Sequence, residues 1–308
     1  MKRILIIYYT QSGQLKQIAD SLAGPLMSEG NIVVDYYRIK PVEDYPFPWP
    51  SDEFFDCMPE SVQKVSIKLD LKDFPADIYY DLVILAYQVW YLSPAIPFSS
   101  FLKSEVAKAF LKGKKVITLL GVRNMWVMAQ EYVRSVLKDY KAELVGNIVL
   151  ADKAHNLVSV LTVIKWLIGG NKGPYNILPE AGVAEKDINL TSRFAEPIIK
   201  ALNKNDYDNL QNELLELGAI DIKYHLVQME KNAFRIFKIW ARLIRKKGEA
   251  KNKKRLLRVR MFKYYLLFVI FVLSPLASII FIIKRYLLYT RAKRQLEYYM
   301  GCTKHRNT

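Results

Sequence analysis

The sequence has few of the residues that build disulfide frameworks and metal centres. Among its 308 residues there are two cysteines, Cys57 and Cys302, and three histidines. The cysteines lie far apart in unlike surroundings, so they predict neither a disulfide nor a cysteine-based site, and we expect no metal. The apolar run at 4–7 is too short for a signal-peptide core. We therefore expect the body of the protein in the reducing cytoplasm.

Acidic residues are nearly absent from the last part of the chain. Residues 242–308 carry 18 Lys or Arg against 2 Asp or Glu, which accounts for the whole formal excess of +16, while residues 1–241 are balanced at 28 against 28. A basic excess confined to one end, without a recognisable nucleic-acid-binding motif, argues against a nucleic-acid partner.

Apolar runs alternate with amphipathic stretches in the first half of the chain. Buried parallel strands are predicted at 3–9, 81–87, 115–121 and 144–150, and a more polar edge strand at 31–39. Helical periodicity is found at 15–28, 97–111 and 128–141. This alternation predicts a doubly wound α/β domain at 1–152 with a five-stranded parallel sheet and right-handed crossovers. The segment 41–76 interrupts it and is interpreted as a long insertion near the ligand.

The loop after the first predicted strand is suited to an anion. It consists of Thr10, Gln11, Ser12, Gly13 and Gln14, and a predicted helix follows at once. Unpaired amides at a helix start and the helix dipole attract a phosphate, and a glycine allows close approach. The loop has neither a Gly-x-Gly-x-x-Gly nor a Gly-Lys-Ser/Thr motif. The strand end also lacks the acidic residue that a magnesium-binding receiver domain needs.

This loop resembles the phosphate loop of the flavodoxin family. Thr10, Ser12 and Gly13 match the family pattern, and Leu15 stands where a further hydroxyl is expected. The resemblance implies a flavodoxin-like fold with FMN as cofactor and its phosphate held at 10–14. The alternative, that Thr10 or Ser12 only caps the helix, stays open.

The same resemblance assigns the flavin ring to the loops after the third and fourth predicted strands. The implied ring-binding residues are Tyr87, Gln88, Val89, Trp90 and Tyr91 in one loop, and Gly121, Arg123, Asn124, Met125 and Trp126 in the other. Trp90 and Tyr91 would stack on the ring, Asn124 would bond its pyrimidine edge, and Arg123 would stabilise the anionic reduced form. The alternative is that Trp90 and Trp126 are ordinary half-buried loop aromatics.

The remainder of the chain predicts a helical extension at 153–241 and a membrane attachment. Residues 264–283 are twenty without a charge, enough for a helix of ~30 Å, the thickness of the hydrocarbon core. A polybasic juxtamembrane segment precedes them at 242–263 and a basic tail follows at 284–308. We expect attachment to the anionic cytoplasmic face of a bacterial inner membrane. Basic residues on both sides and a proline at the midpoint leave two arrangements open: a single span, or a re-entrant or in-plane geometry that keeps both flanks on the cytoplasmic side.

The Tyr-Tyr-Thr-Gln-Ser-Gly-Gln-Leu opening, the Arg-Asn-Met-Trp loop and the membrane-seeking tail together resemble the bacterial dialkylresorcinol condensing enzymes. That resemblance implies a flavin-dependent aromatase, working with a partner ketosynthase, that converts a lipidic dialkyl cyclohexanedione to a dialkylresorcinol in lipid or pigment biosynthesis. The alternatives are a membrane-associated NAD(P)H:quinone reductase and a flavodoxin-type electron carrier. His155 is a weak candidate for the general base, and the catalytic residues are otherwise unknown.

Overall fold

A five-stranded, all-parallel sheet forms the centre of this computed structural model, which describes residues 1–301. Its strands are β1 (Lys2–Tyr8), β2 (Ile32–Arg38), β3 (Leu82–Tyr87), β4 (Lys115–Val122) and β5 (Glu143–Ala151). Their spatial order is β2-β1-β3-β4-β5, which is the flavodoxin-like doubly wound order. The predicted fold class is confirmed. Cys302 and the end of the predicted basic tail lie outside the described residues.

Helices surround the sheet and continue beyond it. They are α1 (Gln14–Ser28), α2 (Ser51–Asp56), α3 (Met58–Gln63), α4 (Ile96–Leu102), α5 (Glu105–Leu111), α6 (Val127–Asp139), α7 (Asn156–Gly169), α8 (Glu185–Asn189), α9 (Ala195–Lys204), α10 (Leu210–Glu216), α11 (Tyr224–Arg245), α12 (Leu256–Phe268), α13 (Ser274–Leu287) and α14 (Tyr289–Met300). The predicted helix at 97–111 is two helices, because Ser104 caps α5 by accepting a hydrogen bond from the Ala107 amide at 3.1 Å.

One face of the sheet is covered by α1 together with helices of the extension. Ile198, Leu202 and Leu214, from α9 and α10, share a buried cluster with Ile4 of β1 and Ile148 of β5. The extension therefore completes the layer that α1 begins, and the hydrophobic core runs across the predicted boundary at 152. The opposite face is covered by α4, α5 and α6.

The insertion at 41–76 contains α2 and α3, which pack against α11 and α12. Phe55 and Met58 lie in a buried cluster with Phe237 of α11 and Phe262 of α12. The insertion therefore connects the sheet domain to α11 and α12.

Among residues 1–301, one helix is long and apolar enough to cross a membrane by length and composition. It runs from Lys253 to Leu287, and most of its apolar part is not buried by the rest of the protein. A π-helical turn at Val269–Leu273 divides α12 from α13. Pro275 follows this turn, and its missing amide hydrogen explains the irregular hydrogen bonding. The predicted tail from 284 is helical as far as Met300, since α14 follows α13 after a turn at Leu288.

A candidate cofactor site at the carboxyl edge of the sheet

A cavity of about 540 Å³ lies where β1, β3 and β4 end. The strand register brings these ends together, because Tyr8 pairs with Ala86, which pairs with Leu119. Ten of the predicted cofactor-binding residues line the cavity: Gln11, Ser12, Gln14, Gln88, Val89, Trp90, Tyr91, Gly121, Arg123 and Met125. Its size falls in the range of small-molecule and cofactor sites, ~300–1,000 Å³.

The first loop offers backbone amides to an anion. The Gly13 amide donates to Thr10 Oγ1 at 3.1 Å, which closes the loop, and Gly13 has φ +85° with open space on the side where a Cβ would stand. The amides of Gln14 and Leu15 open α1, where helix geometry leaves them without partners inside the helix. Thr10 and Gly13 thus shape the loop without lining the cavity, while Ser12 and these amides can hold a phosphate.

The side chains of Gln14 and Leu15 are committed to the fold. Gln14 donates to the Val183 carbonyl and accepts from the Val183 amide, both at 3.1 Å, which fixes the chain that follows α7. Leu15 is 3% exposed and packs in the core beneath α1. At the position where flavodoxins have a hydroxyl, this protein therefore has a core side chain.

The second loop is a tight hairpin in an unusual conformation. Val89–Trp90 pairs antiparallel with Ser93–Pro94, and the two residues between them, Tyr91 and Leu92, have φ values of 47° and 62°. Such left-handed conformations cost ~1–3 kcal/mol for residues other than glycine and cluster at functional sites. The Tyr91 hydroxyl donates to the Phe54 carbonyl at 2.7 Å, which holds the turn against α2.

Trp90 is held by the edges of three other aromatic rings. Ring centroids of Tyr9, Tyr45 and Trp49 lie 6.0, 5.0 and 5.5 Å from that of Trp90, all in edge-to-face orientations. Trp49, from the insertion, also lines the cavity. This packing fixes the orientation of the predicted stacking residue before any ligand arrives.

The third loop is organised around Asn156 at the start of α7. Arg123 Nη1 and Asn124 Nδ2 donate to Asn156 Oδ1 at 2.7 and 2.8 Å. Burial lowers the pKa of Arg123 to about 10, partly opposed by Asp152 and Glu230, so its side chain is cationic at neutral pH. This loop therefore presents a fixed positive charge beside the cavity.

Two buried polar atoms test whether a flavin ring fits between these loops. Among the described residues, Gln88 Nε2 and Asn124 Oδ1 are buried without a hydrogen-bond partner. Buried polar groups in proteins are normally paired. Gln88 lines the cavity, so its unpaired donor matches an acceptor on the edge of a heterocycle such as the pyrimidine part of a flavin, whereas Asn124 does not line the cavity.

Besides Thr10 and Gly13, four predicted residues do not line the cavity: Asn124, Tyr87, Trp126 and His155. Tyr87 is buried, stacks on Phe98 with a centroid distance of 4.6 Å and hydrogen-bonds Gln130, because its side chain points into the layer between β3 and α6. Trp126 is buried in the same core cluster at the start of α6. Neither is the ring contact that was predicted. His155 is exposed at the N-terminal end of α7 and does not line the cavity.

Glu230 is a buried carboxyl group near the site that the sequence did not identify. It is 1% exposed on α11, and Oε1 accepts from the Met128 amide at 2.7 Å. Burial raises its pKa to about 7, partly opposed by backbone hydrogen bonds from residues 126–128 and by Arg123. Glu230 is the one acidic residue in the sequence of α11, which is the signal that could have identified it.

The second half of the chain contributes a mainly apolar part of the cavity lining. It includes Val160, Val163 and Ile164 of α7, Met229 and Ala233 of α11, Leu266 of α12, and Ala277 and Phe281 of α13. A cavity lined by polar loop residues and one cation from the first half of the chain, and by mainly apolar side chains from the second, can hold a charged, planar cofactor beside an apolar substrate.

No family model matches the chain, and no curated protein matches it. Among solved structures it is similar to a flavoprotein from Bacteroides eggerthii DSM 20697, with 17% identity, a TM-score of 0.39, and coverage of 49% of this chain and 89% of that one. A flavoprotein from Lactobacillus acidophilus NCFM in complex with FMN has 19% identity, a TM-score of 0.38, and coverage of 48% and 93%. A flavodoxin from the domain Archaea has 12% identity, a TM-score of 0.36, and coverage of 65% and 99%. The fold assignment rests on the strand order of the sheet.

Proposed function

We propose that this protein is a membrane-associated, FMN-dependent oxidoreductase that acts on a lipidic substrate. The observation that carries the proposal is the cavity with two unlike walls at the carboxyl edge of a flavodoxin-like sheet. Ligands of such sheets bind at this edge, beside the first strand.

Each loop has a role in holding FMN. Ser12 and the amides that open α1 would bind the phosphate, Gln88 would bond the ring edge, and Trp90 would form a wall against the ring. The bound cofactor supplies a hydride acceptor. Arg123 would place positive charge beside the ring and so stabilise negative charge that forms there.

Within this class, the proposed reaction is the aromatisation of a dialkyl cyclohexanedione to a dialkylresorcinol. The apolar wall of α7, α11, α12 and α13 offers room for alkyl chains, and the sequence resemblance to the dialkylresorcinol condensing enzymes supports the same substrate. A partner ketosynthase would supply the dione, and an anionic membrane surface would hold enzyme and substrate together. We assign no general base, because His155 lies away from the cavity.

The test is anaerobic mixing of the oxidised, FMN-loaded protein with a 2,5-dialkylcyclohexane-1,3-dione while the flavin absorbance is followed. Loss of the absorbance together with formation of one resorcinol per flavin supports the aromatase, and no NAD(P)H is needed. If the dione does not reduce the flavin, while NAD(P)H reduces it rapidly and a quinone is turned over, the protein is a quinone reductase and the aromatase proposal is wrong. Reduction by neither would leave an electron carrier.

Trp90 gives this reaction a variant that is specific to the site. Trp90→Ala removes a wall of the cavity, so it should weaken FMN binding and, in protein kept loaded with excess FMN, slow reduction by the dione. Val42→Ala, an exposed apolar residue in the insertion, is the control and should react as the wild type does. A wild-type rate for Trp90→Ala would show that the Trp90 side chain only packs against its aromatic neighbours and does not shape the site.

A further inference from the structure

The apolar helix that runs from Lys253 to Leu287 is tied to the body of the protein at its N-terminal end. Arg255 is 0% exposed. Its Nε donates to Asp56 Oδ1 at 2.6 Å, and Nη1 and Nη2 donate to the two carboxylate oxygens of Glu60 at 2.8 and 2.9 Å. Two-pronged arginine–carboxylate pairs of this kind are strong and geometrically specific. The start of the helix is therefore fixed on α2 and α3.

The C-terminal end of the same helix is tied back to the body by α14. The Tyr298 hydroxyl donates to Glu131 Oε2 at 2.9 Å, and Gln228 Nε2 donates to Gln295 Oε1 at 2.6 Å. Ala292 and Tyr299 of α14 are buried. The chain beyond the apolar helix thus returns to α6 and α11, on the same body that holds the start.

These two attachments conflict with a single membrane span. A helix over 264–283 that crossed the bilayer would place residue 284 ~30 Å from residue 264, on the far side. Residues 284–298 carry Lys284, Arg285, Arg291, Lys293 and Arg294 and are too few and too charged to cross back. Both ends can contact the body only if the helix stays on one side.

The outer face of this helix is a continuous apolar stripe. Exposed side chains recur every three or four residues along it: Tyr264, Phe268, Val272, Leu276, Ile279 and Ile283. Such spacing places them on one side of a helix. The opposite side contributes Leu266, Ile270 and Phe281 to the cavity wall. Exposed basic residues lie beyond both ends of the stripe, such as Lys253 and Lys284, and they match the charge of an anionic leaflet.

We propose that the helix from Lys253 to Leu287 lies in the plane of one anionic leaflet, as a cover over the cavity, with both of its ends on the same side of the membrane. The apolar stripe enters the acyl-chain layer, and the basic ends bind lipid head groups. The cavity then borders the lipid through this helix, so an alkyl-chain substrate reaches it without passing through water. The inference rests on the membrane attachment proposed above and fixes its geometry.

The geometry is tested by epitope tags on both ends of the full-length chain, expressed in bacteria. In-plane binding predicts that protease removes both tags in inverted inner-membrane vesicles and neither in spheroplasts. Cleavage of the C-terminal tag in spheroplasts means a span and overturns the inference. Absence of the protein from washed membranes overturns the membrane attachment itself. FMN released on denaturation is measured on the same samples, so a failed geometry is distinguished from a failed flavin site.

The stripe is tested by flotation of purified protein with vesicles of phosphatidylcholine and phosphatidylglycerol. Leu276→Lys should weaken vesicle binding about tenfold, since a buried aliphatic side chain is lost from the lipid. Met27→Lys, at an equally exposed position on α1, is the matched control and should bind as the wild type does. Equal binding of Leu276→Lys and the wild type would overturn the proposed face. Pure phosphatidylcholine vesicles should bind more weakly than the anionic mixture, and equal binding would remove the role of the basic ends.

Discussion

Glu230 makes the stability of this protein depend on pH. Its carboxyl is buried, and its pKa lies at about 7 instead of 4.5. Between these values the folded protein keeps a proton that the unfolded chain has released. The free energy of unfolding therefore falls as the pH rises through this window. At pH values well above 7 the loss is about 3 kcal/mol, because each unit of pKa corresponds to about 1.4 kcal/mol.

Glu230→Gln removes this dependence and keeps an oxygen that can accept from the Met128 amide. Relative to the wild type, the variant should therefore become more stable as the pH rises. The difference between their free energies of unfolding should change by about 2.5 kcal/mol in favour of the variant between pH 5 and pH 8. The assay is urea denaturation in detergent, followed by tryptophan fluorescence at several pH values. Glu216→Gln, on the exposed end of α10, is the control and should leave the wild-type slope unchanged. Parallel pH curves for Glu230→Gln and the wild type would refute the reasoning.

Three further substitutions test the phosphate loop and the tail. Ser12→Asp should weaken FMN binding at least about 100-fold in a fluorescence titration, because it sets a carboxylate against the phosphate, whereas Ser12→Ala should cost no more than about tenfold; similar affinities would contradict the site. Leu15→Thr restores the hydroxyl of the flavodoxin pattern at a core position, so FMN binding should be kept while the free energy of unfolding falls by about 2 kcal/mol, because buried methyl groups are lost. Arg255→Met removes the two-pronged partner of the buried Glu60 and leaves it the longer ion pair with Arg245 at 3.7 Å, so it should lower the free energy of unfolding by about 3 kcal/mol. The double variant with Glu60→Gln should recover part of that loss, and no recovery would count against the ion pair as its cause.

The sheet could be predicted because the residue composition of each strand segment by itself indicates a buried strand. An apolar run such as that of β3 is buried on both faces, and its composition shows this without any neighbour. The role of α9 is different. Its apolar periodicity predicts a helix, but the surface that Ile198 and Leu202 cover is set by the chain path after β5. That α9 belongs to the layer beside α1 could therefore be seen only in the structure.

For the site, the sequence predicted where the loops lie but not the direction of each side chain. Carboxyl ends of neighbouring parallel strands meet, so the three loops could be assigned to one place from their order alone. Which aromatic side chain faces the cavity depends on the direction of each side chain, and Tyr87 and Trp126 point into the core while Trp49 lines the cavity. Glu230 meets the Met128 amide 102 residues away, a contact that no local pattern contains.

The most direct test of the central claim is the identity and amount of flavin in the purified protein. Full-length protein extracted in detergent and supplied with excess FMN should retain about one flavin per chain after gel filtration. Denaturation should release it, and mass spectrometry should identify FMN. FAD in place of FMN would contradict the assignment of the phosphate to the loop before α1. A chain that retains no flavin after this treatment would contradict the account as a whole.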